Sequence, residues 1–408
     1  MRWVFAIGVL LLGYVYAGYP ALIWLLARVR GRPVRKGPFE GGAAVLIAAH
    51  NEAESLPRKL DNLLELAKTE PIREIWIGLD GCTDGTGCAV REGIQSAKFR
   101  MQNDRATSLQ PATQIHILEF DCRRGKAAVL NDLMAKATSP IFLMMDARQR
   151  VEAGAISKLL ENFADLQVGA VSGALVYESA AGGAQKGAES YWGYEKFIRR
   201  CESRFWAVPG ATGAFYAIRK DLCSPIPENT LVDDVLIPMR AVLKGFRCLF
   251  EPSARVFDLP TAHFGQEGLR KRRTLAGIWQ MGRLEPRIYS IWANPIAFQW
   301  ISHKFLRLLT PFLVAGAMMA AGVQAHGSIG GRERWIWAIL FWGMATAAGI
   351  SGLAYAAGRK IRSRILGVLG AFWGVNWALL LAAQDAWTGR FEARWKRGRE
   401  GERPETGD

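Results

Sequence analysis

The placement of apolar residues limits what this chain can fold into more than any other feature. Residues 3–27 form a nearly uncharged run, and three more such runs lie late in the chain, at 305–324, 335–357 and 365–387. Each is close to the roughly 20 residues that a helix needs to cross a bilayer. Between them, residues 38–287 have ordinary mixed composition, enough for one large globular domain. The chain therefore reads as an integral, multi-pass membrane protein carrying one domain outside the bilayer. The segment 288–304, with its tryptophans and Pro295, reads as interfacial, and 388–408 as a basic polar tail.

Charge sets the orientation. Arg28, Arg30, Arg32, Arg35 and Lys36 follow the first run, whereas only Arg2 precedes it. The positive-inside rule then places the large domain in the cytoplasm. The first run also exceeds the apolar core of about 7–15 residues in a signal peptide, and no small-x-small cleavage site follows it. Residues 1–28 accordingly read as a retained transmembrane helix. The basic loop 359–364 is inside by the same rule, and four crossings put the tail outside although it too is basic. Either one late run is re-entrant or interfacial, or the tail departs from the rule. The net charge of +15 lies largely beside these runs, where it serves topology and anionic lipid. It does not call for nucleic acid as a partner. Cys82, Cys88, Cys122, Cys201, Cys223 and Cys248 show no CxxC spacing, so free thiols are expected and a zinc site is not.

Inside the domain, short apolar runs end on charged residues. Residues 141–145 read as a strand buried on both faces, and Asp146, Ala147 and Arg148 follow at once. In open α/β sheets, ligands bind beyond the carboxyl ends of the strands. An acid there suits a metal ion or a nucleotide, although capping of the next turn explains Asp146 alone equally well. The run 43–49 ends in His50-Asn51-Glu52, ahead of a helix starting near Glu54. A dinucleotide-binding turn would carry glycines there; polar side chains argue against a dehydrogenase or methyltransferase of that type. A strand over 74–79 ends in Asp80-Gly81-Cys82-Thr83-Asp84-Gly85-Thr86, with tight-turn signals. A strand over 114–118 leads to Arg123-Arg124-Gly125-Lys126 before a helix, a phosphate-site signal. Further on come a strand at 170–176, expected to be central, and an aromatic helix face at 191–197 that suits core packing better than sugar stacking. A Gly-rich segment at 209–219 follows, and Asp233-Asp234 stands at a helix start.

In this order the motifs resemble the family-2 glycosyltransferases, in the membrane-bound branch of cellulose, chitin and hyaluronan synthases. The resemblance covers the large domain nearly end to end. It implies an α/β, Rossmann-like GT-A domain with transmembrane helices on both sides of it. It also implies inverting transfer of a sugar from a nucleotide-sugar, UDP-linked in this branch, to a polysaccharide or lipid-linked acceptor. Carried onto matching positions, Glu52 and Asp80 hold ribose and uracil, Asp84 supports their loop, and Lys126 lies beside the diphosphate. Asp146 matches the first acid of the DxD signature, which brings a divalent cation, Mg²⁺ or Mn²⁺, to the diphosphate. Arg148 stands where the second acid would be, and can instead pair with phosphate directly. Asp234 matches the general base and Asp233 its neighbour. Of the branch's QxxRW pattern, Arg273 fits the Arg and is expected to reach the diphosphate, while Arg270 replaces Gln and Thr274 replaces Trp. The missing Trp points away from processive polymerisation and toward a non-processive lipid glycosyltransferase. A basic stripe on anionic headgroups explains 270–273 almost as well. The implied partners are the donor, the glycan or lipid-linked acceptor, membrane lipids and an export partner, in a bacterial inner membrane. Two readings from other classes remain. A catalytically silent scaffold need not keep Asp80, Asp146 and Asp234 together, and a transporter should carry polar or broken mid-membrane segments.

Overall fold

The computed structural model describes residues 1–103, 113–177, 183–258, 264–327, 331–357 and 364–389. Helices α1 (Arg2–Gly13) and α2 (Tyr19–Val29) continue into each other through a π-helical turn at Tyr14–Gly18. Then strands and helices alternate: β1 (Ala43–Ala49), α3 (Ser55–Leu66), β2 (Ile72–Asp80), α4 (Thr86–Asn103), β3 (Gln114–Phe120), α5 (Lys126–Lys136) and β4 (Ile141–Met145). Crossover helices of this kind return the chain to the same end of the sheet, so these strands pair in parallel. Every residue of β1 and β4 is buried, because helices cover both faces. In α3, Leu56, Leu60 and Leu63 recur at helical spacing and face that sheet.

The second half contains β5 (Arg150–Val151), α6 (Ala155–Leu160), β6 (Val168–Tyr177), α7 (Gly183–Phe205), β7 (Phe215–Arg219), α8 (Asp233–Leu243), β8 (Arg247–Asp258) and α9 (Phe264–Leu284). The sheet order is β3-β2-β1-β4-β7-β6-β8-β5. β7 runs antiparallel to both β4 and β6, while β6 is parallel to β8. β6 is thus an interior strand of the second half, not the centre of the sheet. From β1 the chain moves outward to β2 and β3, then returns to β4 on the other side of β1. That reversal opens a crevice beyond the carboxyl ends of β1 and β4. β1 and β2 end level, with Ala49 opposite Leu79, so their loops open on one edge.

The membrane-proximal part begins after α9. Short helices α10 (Ala297–Gln299) and α11 (Leu306–Leu308) flank a π-helical turn, and α12 (Thr310–Gly327), α13 (Gly331–Ala357) and α14 (Arg364–Thr388) follow. By length and composition, two described helices suffice to cross a membrane, Arg2–Val29 and Gly331–Ala356. A third counts if Ala297–Leu308 and Thr310–Gly327, bent by 60°, act as one span. The run 365–387, expected to cross, is not among them. It lies in α14, which packs on α7 and α9, and its buried Asp385 accepts from Arg272 Nη2 at 2.6 Å. In segment 288–304, Trp292 is exposed while Trp300 is buried in the core. The loop at 359–363 and the basic tail from 390 lie outside the described residues.

The first helix docks on the domain through α7. Tyr19, Ile23 and Ala27 pack with Ile198 and Cys201, and Tyr194 donates to the Tyr16 carbonyl at 2.9 Å. The aromatic stretch at 191–197 therefore divides. Tyr194 packs against the first helix, whereas Phe197 is exposed.

Candidate active site

The loops after β1 and β2 are laced together by side chains. Asn51 has φ 54°, a left-handed conformation that Asn adopts more readily than most residues. Its Oδ1 accepts from the Thr83 amide at 2.9 Å, and Thr86 Oγ1 accepts from the Glu52 amide at 2.9 Å. Asp84 accepts from the amides of Ala53 at 3.1 Å and Thr86 at 3.0 Å. Burial would raise the Asp84 pKa, but a hydrogen bond from the Thr86 hydroxyl, with these amides, outweighs it and holds the carboxyl below its ordinary range. Glu52 is buried, and its carbonyl accepts from Ser55 and Leu56 to start α3.

Asp80 is buried at the end of β2, and its carboxylate accepts from the Arg124 amide at 2.6 Å and the Gly125 amide at 2.8 Å. It thereby anchors the turn that leads into α5. The resemblance gave this carboxylate to the uracil; in the structure, backbone amides already engage both of its oxygens.

Across the crevice, acids and one ammonium converge. Lys126, the first residue of α5, places Nζ 3.0 Å from Asp146 Oδ1 and 3.3 Å from Asp233 Oδ2. Burial opposes its charge, but Asp146, Asp233 and Asp234 outweigh that and raise its pKa. Asp233 and Asp234 begin α8, where acids favour the helix dipole. The Gly-rich segment seats them. The Ala211 amide donates to the Asp234 carbonyl at 2.8 Å, and a Cβ on Gly213 would lie 3.0 Å from Asp234 Oδ2. Asp233 is buried and Asp234 is partly exposed. Burial, then Asp233, push the Asp234 pKa up to about 6, against the pull of Lys126.

Asp146 follows β4 directly, and Arg148 is partly buried with no ion pair to a described residue. The donor set around Asp146 is thus one carboxylate, an ammonium bonded to it and a nearby guanidinium. A hard divalent cation asks for several oxygen ligands. Among the described residues, no group of three or more His, Cys, Asp or Glu is disposed to hold a metal. The residues present therefore offer a divalent cation one carboxylate, already paired with Lys126, in place of the two of a DxD pair.

Arg273 sits on α9, which presses against the segment leading to Asp233. A Cβ on Gly277 would lie 2.5 Å from Val232 Cγ1, so only glycine permits this approach. Gln280 accepts from the Leu231 amide at 3.0 Å and donates to the Asn229 carbonyl at 2.8 Å. Arg273, one turn before Gly277, shares that face, and its buried Nε has no hydrogen-bond partner. No hydrogen bond or ion pair joins Arg273 to Asp146, Asp233 or Asp234 in the structure. Thr274 is exposed, and Arg272 turns to Asp385.

Several supporting residues escaped the sequence reading. Arg199 donates to Ser172 Oγ at 2.8 Å and Thr212 Oγ1 at 3.1 Å, bracing the Gly-rich segment. Lys59 is buried under the loop after Asp146 and donates to the Gln149 carbonyl at 2.8 Å; burial lowers its pKa to about 7. Its signal was present, because Lys59 falls on the apolar stripe of Leu56, Leu60 and Leu63. Arg199 and Gln280 carried no comparable signal.

Comparison with known proteins follows the same lines. Residues 44–226 match the family described as glycosyl transferase family 2. Over 238 residues the chain is 26% identical to the poly-beta-1,6-N-acetyl-D-glucosamine synthase of Staphylococcus aureus strain COL, covering 57% of this chain and 53% of that protein. The Staphylococcus epidermidis protein of the same description is 22% identical over 297 residues, covering 68% and 66%. The chain thus matches about half the length of the Staphylococcus aureus relative. A mannosyltransferase from Pyrobaculum calidifontis, solved in complex with GDP-Man and Mn²⁺, superposes with TM-score 0.66. The match covers 95% of this chain and 100% of that one at 20% identity, a likeness of fold. Residues 44–226 are thus similar to family 2 glycosyltransferases, and the fold is Rossmann-like GT-A.

Proposed function

We propose that this chain is an inverting, membrane-bound glycosyltransferase that moves a sugar from a UDP-linked donor to a polysaccharide or lipid-linked acceptor. One observation carries the reading. In the crevice at the strand ends, Lys126 pairs with Asp146 and Asp233, and its charge acts on the neighbouring Asp234, whose pKa is raised. Inversion needs a base on one face of the anomeric carbon and a positive environment on the other. Asp234 takes the proton of the acceptor hydroxyl as its oxygen bonds to that carbon. The bond to the diphosphate breaks on the opposite face, and Lys126 meets the departing charge. A positioned base contributes typically about 10²–10⁴-fold, and preorganised cations stabilise the leaving group. Glu52, Asp80 and Asp84 shape the nucleoside side, Asp233 orients its neighbour, and Arg273 serves the diphosphate.

The Staphylococcus relatives bear the name of a polysaccharide synthase, which supports a glycan acceptor. Thr274 in place of the aromatic residue supports single transfer to a lipid-linked acceptor. Product length on a lipid acceptor distinguishes the two. The Arg and Lys residues after the first helix support a cytoplasmic catalytic domain at a bacterial inner membrane. The test is UDP release by detergent-purified chain from a panel of UDP-sugars, with membrane lipid extract as acceptor. Release with one sugar, lost in Asp234→Asn, is expected. Full activity in Asp234→Asn, or UDP binding without transfer from any sugar, would count against the reading.

A further inference from the structure

We infer that Lys126 and Arg148 together do at the donor diphosphate what a divalent cation does where the DxD pair is complete, so that nucleoside diphosphate binds this chain without metal. The inference rests on the proposed reading of the crevice as a donor site. Its basis is the arrangement around Asp146. The first acid of the pair is occupied by an ammonium 3.0 Å away, and the same ammonium lies 3.3 Å from Asp233. A divalent ion bound to Asp146 at about 2.0–2.6 Å would share that carboxylate with the ammonium, charge against like charge. The second acid is absent, and a guanidinium stands there in its place.

Lys126 and Arg148 bring the two positive charges that such an ion would bring. They do so from rigid supports. Lys126 is the first residue of an 11-residue helix whose N-terminal turn is pinned by Asp80 through the Arg124 and Gly125 amides. The loop bearing Arg148 is held from below by Lys59 at the Gln149 carbonyl. A planar guanidinium binds two phosphate oxygens at once, which a point charge cannot do. Asp146 then acts as the anchor that aims Lys126, through a direct ion pair.

The test uses the full chain in detergent, with UDP and GDP as titrants and uridine as a control without phosphate. Wild-type affinity for the diphosphate is expected to differ by less than about threefold between EDTA and millimolar Mn²⁺. Lys126→Met should weaken diphosphate binding in EDTA by roughly tenfold or more, the loss of a charge-assisted contact, and leave uridine binding unchanged. Lys126→Arg should retain it, and unfolding midpoints check that both variants are folded. Arg148→Asp, which restores the second acid, should bind weakly in EDTA and be rescued by Mn²⁺. Wild-type binding that tightens more than about tenfold with Mn²⁺ would overturn the inference and leave the glycosyltransferase reading standing. Equal UDP affinity in Lys126→Met and wild type would also overturn it. Binding of neither UDP nor GDP by folded wild type, with or without metal, would instead overturn the donor site itself.

Discussion

The two halves of the sheet use the same residue type for opposite ends. In the parallel half, Asp80 and Asp84 each accept from two backbone amides, and the Asp84 pKa falls below its ordinary range. In the antiparallel half, Asp233 and Asp234 stand side by side with Lys126 as the shared cation, and the Asp234 pKa rises to about 6. Burial pushes both pKa values upward, but Asp234 is enclosed far more deeply than the exposed Asp84, and the hydrogen-bond donors on Asp84 and the like charge beside Asp234 widen the gap. An aspartate rich in amides is a fastener, whereas one crowded by a second carboxylate is ready to accept a proton.

The sharpest way to break this comparison is to neutralise one acid from each half. Asp234→Asn should lower kcat by about 10²–10⁴-fold while UDP affinity stays near wild type, read by UDP release and calorimetry. Asp80→Ala should show the reverse. Loss of two amide acceptors frees the turn into α5 and weakens UDP binding by roughly 10–100-fold, with little change in kcat at saturating donor. If both variants lost kcat alone, the division between fastener and base would fail. The pH profile gives a gentler test. The Asp234 carboxyl holds its proton up to about pH 6, so kcat/KM should fall about tenfold per unit below that point. Asp234→Asn should remove this limb from whatever activity is left.

The smallest effect concerns a second fastener in the parallel half. Glu74 accepts from the Ser139 amide at 2.7 Å, from both polar groups of Thr138 and from Trp76 Nε1 at 2.7 Å, joining β2 to the entry of β4. Burial would raise its pKa, but the Ser139 hydroxyl, Trp76 Nε1 and the Thr138 groups bring it down to about 2. Glu74→Gln should cost about 1–3 kcal/mol of stability at neutral pH, seen in denaturant unfolding. Because the folded pKa is depressed, that contribution is present above the ordinary range near pH 4. It fades as pH falls toward 2, so the gap between variant and wild type should close there.

Much of the parallel half was legible from local pattern. A run such as 43–49 or 141–145 can only be buried on both faces, and a polar cluster after it lies at a strand end. The register that levels β1 with β2 follows from packing of the whole sheet and left no local mark. The membrane part was less legible. Apolarity alone suggested a span at 365–387; α14 packs on α13 as well as on α7 and α9, and Asp385 bonds to Arg272. Hydropathy counts residues singly, and such a pair becomes visible only when α9 lies beside α14.

The sequence by itself determined the alternation of strands and helices, the order of the motifs, and which acids stand at strand and helix ends. Each of these is set by neighbours a few residues away, through apolar periodicity, turn residues and caps. The tertiary structure alone decided which acid meets which cation. Asp80 reaches amides 44 and 45 residues on, and Lys126 lies between Asp146 and Asp233 because β4 and α8 are brought together across the sheet. The chemistry of a carboxylate depends on the donors and charges within a few ångströms, and the fold supplies those from distant parts of the chain.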